Sequence, residues 1–462
     1  MVQLKNDRGN KMAKIKVAKF GGTSMANAKA MLRSASVVKT HQANLTVVSA
    51  TSGTTNKLEE LMSLAQGNSF DNLETTIKDL RKKHLDICTE IHASKKTTDQ
   101  VDQLCSELLT LAKGIYFLKE CTAKAKDRIY SIGERLSSSI FTECLQQVLG
   151  PSVTVNFIDA RDFLITDSNF NKAKPLTNEI KNRCQILRDT LETNSTQFYV
   201  TQGFIGKTIE GETTTLGRGG SDYSASIFGE AINASEIQIW TDVAGIATTD
   251  PRICPEAKII HEITFKEAAE MAIFGAKILH PTTLVPARRS SIPVFVGSSY
   301  EPDAPGTWIK ETCENKPLVR GITKKDNQTL ITISNPSMAH AHGFLAKIFK
   351  VFETYDISVD AITTSEISVA MTIESQVSQN TRFIQELESL GKIKLEKNYS
   401  LVSLIGNKIN TTSGIANKIF QGIGDTNVRM ICQGASVHNF CVLVGQDNGN
   451  QAVQQLHRTF IN

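Results

Sequence analysis

The stretch Lys19-Phe20-Gly21-Gly22-Thr23-Ser24 follows the apolar run 15–18 and precedes a pattern that predicts a helix over about 26–39. It therefore marks a strand-to-helix turn of an α/β fold. Two glycines let the backbone approach an anion, and the Lys19 ammonium and the first helical amides would face that anion. The same turn also occurs without a ligand, and the GxxxxGK[ST] pattern of a Walker A loop is absent.

Bulk composition limits the classes of protein that fit. A chain of 462 residues with 40% hydrophobic residues predicts two or three domains. The net charge of +4 implies neither a nucleic-acid nor a membrane partner. Nine cysteines without a CxxC pair indicate reduced thiols and a cytoplasmic location. No apolar stretch approaches membrane length, and residues 1–13 are interpreted as an N-terminal extension without the apolar core of a signal peptide.

A second strand, loop and helix follow about 30 residues after the first. Residues 45–49 are β-branched and apolar, and the loop SATSGTTN (49–56) leads into a helical pattern over 57–64. Parallel strands open their loops at one edge of the sheet, so Ser49 and Thr55 would lie beside the glycine turn. Capping of the helix is the simpler role for these hydroxyls.

Two further stretches carry charge next to glycine. In SIGERLS (131–137), Glu134 follows a glycine where an apolar helix is predicted to begin, so it is either a helix-terminal carboxylate or a partner for a substrate ammonium. In TTTLGRGGSDYSA (213–225), Arg218 and Asp222 lie among three glycines before another predicted helix. The planar guanidinium of Arg218 suits bidentate capture of a carboxylate or phosphate.

The segment after the strand 236–240 is acidic and rich in hydroxyls, which suits contacts to a ribose or a base. It contains Thr241, Asp242 and Arg252, and a solvated loop is the alternative. The amphipathic segment 265–279 then carries Lys277, which would approach phosphates or simply extend from the helix end.

Together, seven motifs resemble the aspartokinases of the amino-acid-kinase family. They are KFGGTS (19–24), SATSGTTN (49–56), SIGERLS (131–137), TTTLGRGGSDYSA (213–225), WTDVAGI (240–246), TTDPR (248–252) and FGAKILHP (274–281). The resemblance runs from about residue 14 to the C-terminus and is greatest with the monofunctional, lysine-sensitive type. It implies an α/β three-layer αβα sandwich followed by two ACT-like modules of the ferredoxin type.

The resemblance also implies an activity, transfer of the ATP γ-phosphoryl to the β-carboxylate of L-aspartate with Mg²⁺, as the first step towards lysine, threonine and methionine. Lys19 and Asp222 would be the catalytic residues, and Thr55, Glu134 and Arg218 would bind aspartate. The residues implied for ATP are Lys19, Phe20, Gly21, Gly22, Thr241, Asp242, Ala247, Arg252, Lys277 and Ile278. No protein metal cluster is implied. Ala247 stands where the family often has an aromatic residue, so a packing contact to the nucleotide would be missing.

The chemistry fits this set of residues independently. A carboxylate nucleophile is already ionised at neutral pH, so it needs no general base. It needs cations and amides that hold two anions in line.

The C-terminal third contains an internal repeat. A strand, helix, strand, strand order over 329–373 recurs over 401–444, with Val359 and Val428 at matching positions. We therefore expect a catalytic domain over 14–297, a linker over 298–325, and modules over 326–395 and 396–462, the second completed by a strand at 306–310.

By resemblance, the modules would bind L-lysine as a feedback inhibitor. The residues implied are Met338, Ala341, Phe344, Leu345, Asp360, Thr364, Ser365 and Glu366. Solvated acidic residues are the alternative for Asp360 and Glu366. Because ACT pairs usually form across a subunit boundary, a homodimer or a tetramer is expected.

Two other functions remain open at this point. The same cleft would suit a kinase of glutamate or another small acid, since Arg218 and Glu134 would hold any α-amino acid. A non-catalytic amino-acid sensor is the other alternative, and the presence of Lys19, Arg218, Asp222 and Lys277 argues against it.

Overall fold

The computed structural model describes residues 14–67, 70–193, 196–276 and 279–461. The strands are β1 Lys16–Phe20, β2 Leu45–Val48, β3 Val155–Phe157, β4 Ile165–Thr166, β5 Phe198–Gln202, β6 Ile205–Thr208, β7 Thr213–Thr215, β8 Glu236–Thr241, β9 Glu262–Thr264, β10 Val294–Ser298, β11 Thr307–Lys310, β12 Val319–Ser334, β13 Ala361–Thr364, β14 Ser368–Glu374, β15 Lys392–Gly406, β16 Val428–Cys432 and β17 Asn439–Gly445. The helices are α1 Ala28–His41, α2 Thr54–Gln66, α3 Phe70–Glu90, α4 Lys95–Leu118, α5 Ala123–Leu149, α6 Thr177–Thr193, α7 Gly220–Ala231, α8 Phe265–Ile273, α9 Val285–Arg289, α10 Phe344–Thr354, α11 Thr381–Glu388, α12 Ile415–Ile423 and α13 Gly449–Phe460.

The chain divides into two compact units. The first contains Met1–Ile246, His261–Phe265 and Leu279–Thr312, and the second contains Ala247–Ile260, Lys266–Ile278 and Cys313–Asn462. This division differs from the expected boundary at residue 297. Residues 298–312 stay with the first unit, whereas the segments 247–260 and 266–278 go with the second.

The first unit is built on an eight-stranded sheet in the order β3-β5-β2-β1-β8-β10-β11-β9. β1 lies between β2 and β8 and is parallel to both, with Lys19 beside Val47 and Ile239. The carboxyl ends of these strands therefore meet at one edge of the sheet. In an open parallel sheet, this edge is where ligands bind.

Helices cover both faces of this sheet. On one face, residues of α1 to α5 pack with Phe20 and Trp240 into a large apolar core. Side chains alternate along β1, so Lys19 points to the other face, where α7 packs against β1 and β8. The expected three-layer αβα sandwich is confirmed.

The second unit is built on a six-stranded antiparallel sheet in the order β13-β14-β12-β15-β17-β16. The long strands β12 and β15 pair along their lengths and belong to both repeats. One apolar core forms under α10 and α11, and another forms under α12 and α13. The repeat predicted from the sequence therefore appears as two α+β modules that share one continuous sheet.

The prediction that a strand at 306–310 completes the second module is wrong. β11 pairs with β10, with Thr307 beside Val296, and with β9, so it belongs to the sheet of the first unit. The short connection from β10 favours this antiparallel pairing. The first part of β12 takes the expected place beside β15, with Ile322 opposite Leu404.

Among the helices that the structure describes, none combines the length and apolar character needed to cross a membrane.

Candidate active site

A cleft of about 1230 Å³ opens in the first unit at the carboxyl edge of its sheet. Three loops line it: the glycine turn after β1, the loop between β2 and α2, and the loop between β7 and α7. The predicted residues Lys19, Thr55, Glu134, Arg218 and Asp222 all line this cleft. The structure thus brings together side chains as far apart in the sequence as residues 19 and 222.

Lys19 is the central cation of the cleft. It is only 8% exposed, and its Nζ lies 2.6 Å from Oδ1 of Asp222. Asp222 belongs to the first turn of α7, where a carboxylate is favourable. The ion pair fixes the orientation of the lysine side chain at the carboxyl edge of the sheet.

The glycine turn approaches the cleft through its backbone. The ring of Phe20 is fully buried and lies 6.4 Å from that of Trp240, so only its main chain is available to a ligand. The expectation that helical amides directly after the turn face an anion is wrong. A 3₁₀ turn over Thr23–Met25 comes first, and its amides at Ser24 and Met25 donate to carbonyls of the glycine turn.

Arg218 is exposed and lines the cleft. Among the described residues it takes part in no ion pair, in contrast to Lys19. Gly219 has φ +73°, and a Cβ at this position would lie 2.8 Å from Cβ of His280. The loop therefore requires glycine beside the arginine. His280 packs behind it, and burial together with the Arg218 charge lowers the pKa of the imidazole.

Glu134 lies in the middle of α5, so the prediction that a helix begins near it is wrong. It is 5% exposed, and its Oε1 accepts a hydrogen bond of 3.3 Å from the Ala50 amide. Burial raises the pKa of this carboxyl to about 8, although the Ala50 amide acts in the opposite direction. A ligand ammonium beside it would favour the carboxylate form.

One face of α5 adds residues that sequence reasoning missed. Lys126, Tyr130 and Glu134 are spaced by four and all line the cleft, as expected of neighbours on one helical face. The four-residue spacing that precedes Glu134 was therefore the sequence signal that could have identified Lys126 and Tyr130.

The buried carboxylate of Asp127, next to this face of α5, binds the end of β7, which leads into the loop that carries Arg218. Asp127 is fully buried and accepts from the Thr215 hydroxyl (2.6 Å), the Thr215 amide (3.0 Å) and the Asn171 amide (2.9 Å). Thr215 ends β7, just ahead of Arg218. No local signal in the sequence indicated this contact.

The residues predicted for the nucleotide are distributed over both units. Thr241 lines the cleft at the end of β8, and its hydroxyl donates to Asp242 at 3.1 Å. Ala247 and Arg252 belong to the second unit, where Ala247 forms a β-bridge with Ile259. The Arg252 side chain is 81% exposed and pairs with Asp250. The predicted residues Lys277 and Ile278 lie outside the described residues.

The residues predicted for an effector all belong to the first module of the second unit. Met338 lies in a 3₁₀ turn over Pro336–His340, and Ala341 follows that turn. Phe344 and Leu345 begin α10 after Gly343, which has φ +76°. Thr364, Ser365 and Glu366 are exposed at the turn between β13 and β14.

Asp360, the remaining predicted effector residue, is already paired. Nζ of Lys325 lies 2.8 Å from each of its two carboxylate oxygens and 3.3 Å from Oε1 of Glu374. An effector ammonium at this carboxylate would therefore meet a cation of the chain itself.

Comparisons with known proteins bear on this arrangement. The model of the amino acid kinase family matches residues 14–298, and an ACT domain model matches residues 402–460. Over 456 residues, the chain is 41% identical to the lysine-sensitive aspartokinase 3 of Escherichia coli K12, with 96% of this chain and 99% of that protein covered. The chain belongs to the aspartokinases of the amino acid kinase family.

Solved aspartokinase structures share the fold. The complex of E. coli aspartokinase III with aspartate and ADP, its R-state, superposes with a TM-score of 0.86 at 39% identity, covering 97% of this chain and 100% of that one. The complex of the same enzyme with lysine and aspartate, its T-state, gives a TM-score of 0.82 over the same shares. This aspartokinase therefore has the fold of these solved relatives, and the cleft lies at the carboxyl edge of the sheet in its first unit.

Proposed function

We propose that the chain is an aspartate kinase that transfers the γ-phosphoryl group of ATP to the β-carboxylate of L-aspartate and releases ADP and 4-phospho-L-aspartate. A single observation carries the proposal. The Lys19–Asp222 pair, the Arg218 cation and the buried Glu134 carboxyl line one cleft in an aspartokinase fold. The relative whose structure holds aspartate and ADP supports aspartate as the acceptor and an adenine nucleotide as the phosphoryl donor.

The roles follow from charge. Glu134 would hold the substrate ammonium, Arg218 the α-carboxylate, and the hydroxyl of Thr55 would fix the acceptor end of the cleft. A β-carboxylate oxygen would attack the γ-phosphorus as the bond to the ADP oxygen breaks. Lys19 would neutralise charge on the transferred phosphoryl group, and Asp222 would orient the ammonium of Lys19. Positioning and charge neutralisation supply most of the rate enhancement in phosphoryl transfer.

We assign Mg²⁺ to the nucleotide rather than to a protein cage. Within the described ranges, no group of three His, Cys, Asp or Glu side chains is arranged to hold a metal ion. Mg²⁺ commonly takes only one or two protein carboxylates and completes its shell with phosphate oxygens and water. Asp222 is the cleft carboxylate that fits this role, and the ion would supply charge to the phosphates.

We further propose that L-lysine inhibits through the first module and that chains associate there as a homodimer or a tetramer. The relative called lysine-sensitive and the T-state complex with lysine support the effector. The side chains of Leu345, Phe349 and Ile367 are 40% to 50% exposed on this module. Apolar exposure of this kind is typical of an interaction surface.

A hydroxylamine assay tests the activity. Acyl phosphate is trapped as a hydroxamate in the presence of ATP, Mg²⁺ and either L-aspartate or L-glutamate. Turnover with aspartate is the expected result. Turnover with glutamate alone would show that the acceptor is another small acid. No turnover with either acid would favour a non-catalytic amino-acid sensor.

The effector is tested by titrating the same assay with lysine, threonine and methionine separately. Lysine alone should inhibit, and Glu366→Ala should weaken that inhibition while uninhibited turnover changes little. Unchanged inhibition in this variant would remove Glu366 from the effector site.

A further inference from the structure

The loop between β2 and α2 is held from behind by polar groups of α3. We call residues 51–55, the end of this loop and the first two residues of α2, the acceptor turn. Ser52, Gly53 and Thr55 are exposed, whereas Thr51 and Thr54 are buried, and all of these residues except Thr54 line the cleft. A Cβ at Gly53 would have no neighbouring heavy atom within 4 Å. The tip of the turn is thus not packed against other residues, so its anchors matter.

His84 of α3 is the innermost anchor. The side chain is fully buried, with Nδ1 2.7 Å from the Leu80 carbonyl and Nε2 3.1 Å from the Thr51 hydroxyl. A carbonyl oxygen can only accept, so Nδ1 carries the proton. Burial lowers the pKa of the imidazole to about 4, so at neutral pH it holds this single proton. Nε2 is therefore an acceptor, and the Thr51 hydroxyl must donate to it.

The direction of the other hydrogen bonds around Thr51 follows from the proton position on His84. The oxygens of the Thr51 and Thr54 hydroxyls lie 2.6 Å apart. Because Thr51 uses its proton on His84, Thr54 donates to Thr51. Nζ of Lys83 can only donate, and it lies 2.5 Å from the Ser52 carbonyl and 3.4 Å from the Thr54 hydroxyl. Donation therefore runs in one direction, from Lys83 through Thr54 and Thr51 to His84.

We propose that His84 and Lys83 are positioning residues that hold the acceptor turn in the geometry that binds the amino-acid substrate. The inference rests on the proposed function, because it takes Thr55 as a substrate contact. The two residues lie behind the cleft and do not line it. Their effect is to fix the hydroxyls and the Ser52 carbonyl on either side of the exposed tip before the substrate arrives.

This role predicts an effect confined to one substrate. A turn that has lost its anchor must be ordered when the acceptor binds, so the KM for aspartate rises. The glycine turn and Thr241 lie at the ends of other strands of the sheet, and of the two glycines only Gly22 packs near Ser52, so the KM for ATP should change less than the KM for aspartate.

His84→Leu and Thr51→Val test the role, because each removes one end of the Thr51–His84 bond at similar volume. Each should raise the KM for aspartate about tenfold, since a buried polar group is left without its partner. The double variant should be little worse than either single variant, because both remove the same bond. Lys83→Met should act in the same direction, and His84→Gln, which restores an acceptor, should recover part of the loss.

Thr76→Val is the matched control. Thr76 is buried on the same helix, and its hydroxyl donates only within α3, to the Asn72 carbonyl at 2.9 Å. Its KM for aspartate should not change. If His84→Leu and Thr51→Val lower kcat with both KM values unchanged, raise the two KM values equally or add independently, the positioning role is overturned.

Thr55→Ala separates this inference from the proposed function. If Thr55→Ala raises the KM for aspartate while His84→Leu and Thr51→Val do not, only the positioning role fails. If none of the three changes this KM, the assignment of the acceptor side of the cleft fails as well.

Discussion

Nζ of Lys19, at the end of the central strand β1, lies 2.6 Å from Oδ1 of Asp222 in the first turn of α7. The pair joins the two glycine-bearing turns of the first unit. It also keeps the ammonium within the cleft, where both side chains are largely buried. This relationship brings the two turns together in one cleft.

We expect Lys19→Ala to lower kcat at least about 100-fold, because a preorganised cation that stabilises transition-state charge is lost. Binding of lysine to the second unit should be unchanged, as measured by isothermal titration calorimetry. Asp222→Asn should retain more activity than Lys19→Ala, since the ammonium would remain. Substantial turnover of Lys19→Ala would remove this side chain from the reaction centre.

The pKa of Glu134 gives a second prediction. Burial raises it to about 8, so at pH 6.5 the carboxyl of the empty cleft is mostly protonated. An ammonium requires the carboxylate, so affinity increases as the pH rises towards 8. The KM for aspartate should fall about 15-fold between pH 6.5 and 8, in proportion to the ionised fraction.

Glu134→Gln is the control for this pH dependence. Its KM for aspartate should be high and nearly independent of pH over the same range. Calorimetric titration of the unmodified protein in two buffers of different ionisation enthalpy should detect proton release on aspartate binding. Binding without proton release at pH 7 would show that Glu134 is already ionised in the empty cleft.

Local sequence signals predicted the parts of the site that lie within one turn. Lys19 and Arg218 each stand in a glycine-rich link between a strand and a helix, and such links meet at one edge of a parallel sheet. Glu134 was found by its motif, but its place in the middle of α5 was not. Its neighbouring glycine suggested a helix start, yet Gly133 serves close packing, because a Cβ there would lie 3.0 Å from Cβ of Ala50.

Contacts between distant segments were not predictable from the sequence. Asp127 reaches Thr215 across 88 positions, and nothing near either residue indicates the pair. Strand pairing is equally hard to predict. The sequence pattern of β11 fits either sheet, and the short link from β10 determines which sheet it joins. The sequence therefore predicted the layers and the carboxyl edge, whereas the polar contacts that hold the cleft required coordinates.

Lys325 gives a prediction for regulation, because its ammonium contacts both oxygens of Asp360. If this carboxylate receives an effector ammonium, the two cations compete for it. Lys325→Met should then lower the lysine concentration for half inhibition by about threefold to tenfold, in line with a partly buried ion pair. The measurement is lysine titration of the hydroxylamine assay.

Lys324→Met is the matched control, because Lys324 is the neighbouring residue and pairs with Asp326 instead. It should leave the inhibition curve unchanged. Weaker inhibition in Lys325→Met would mean that Lys325 holds Asp360 in place for the effector instead of competing with it.

The buried imidazole of His84 predicts a stability change with pH. Its pKa is about 4 in the folded chain against 6.5 for an unperturbed histidine, so the unfolded chain binds more protons between these values. The stabilisation is complete above pH 6.5 and is lost as the pH falls towards 4. Between pH 7 and pH 5, His84 should account for a loss of roughly 2 kcal/mol in the free energy of unfolding.

Urea unfolding at pH 7 and pH 5, followed by tryptophan fluorescence, measures this change in the free energy of unfolding of the first unit. Both tryptophans of the chain, Trp240 and Trp308, belong to that unit. His84→Leu should be less stable at pH 7 but should lose less stability on acidification than the unmodified protein. The pKa of His41 is also lowered, but His41 is present in both proteins, so its contribution cancels in the comparison. Equal losses in the two proteins would mean that the pKa of His84 is not lowered in the folded chain.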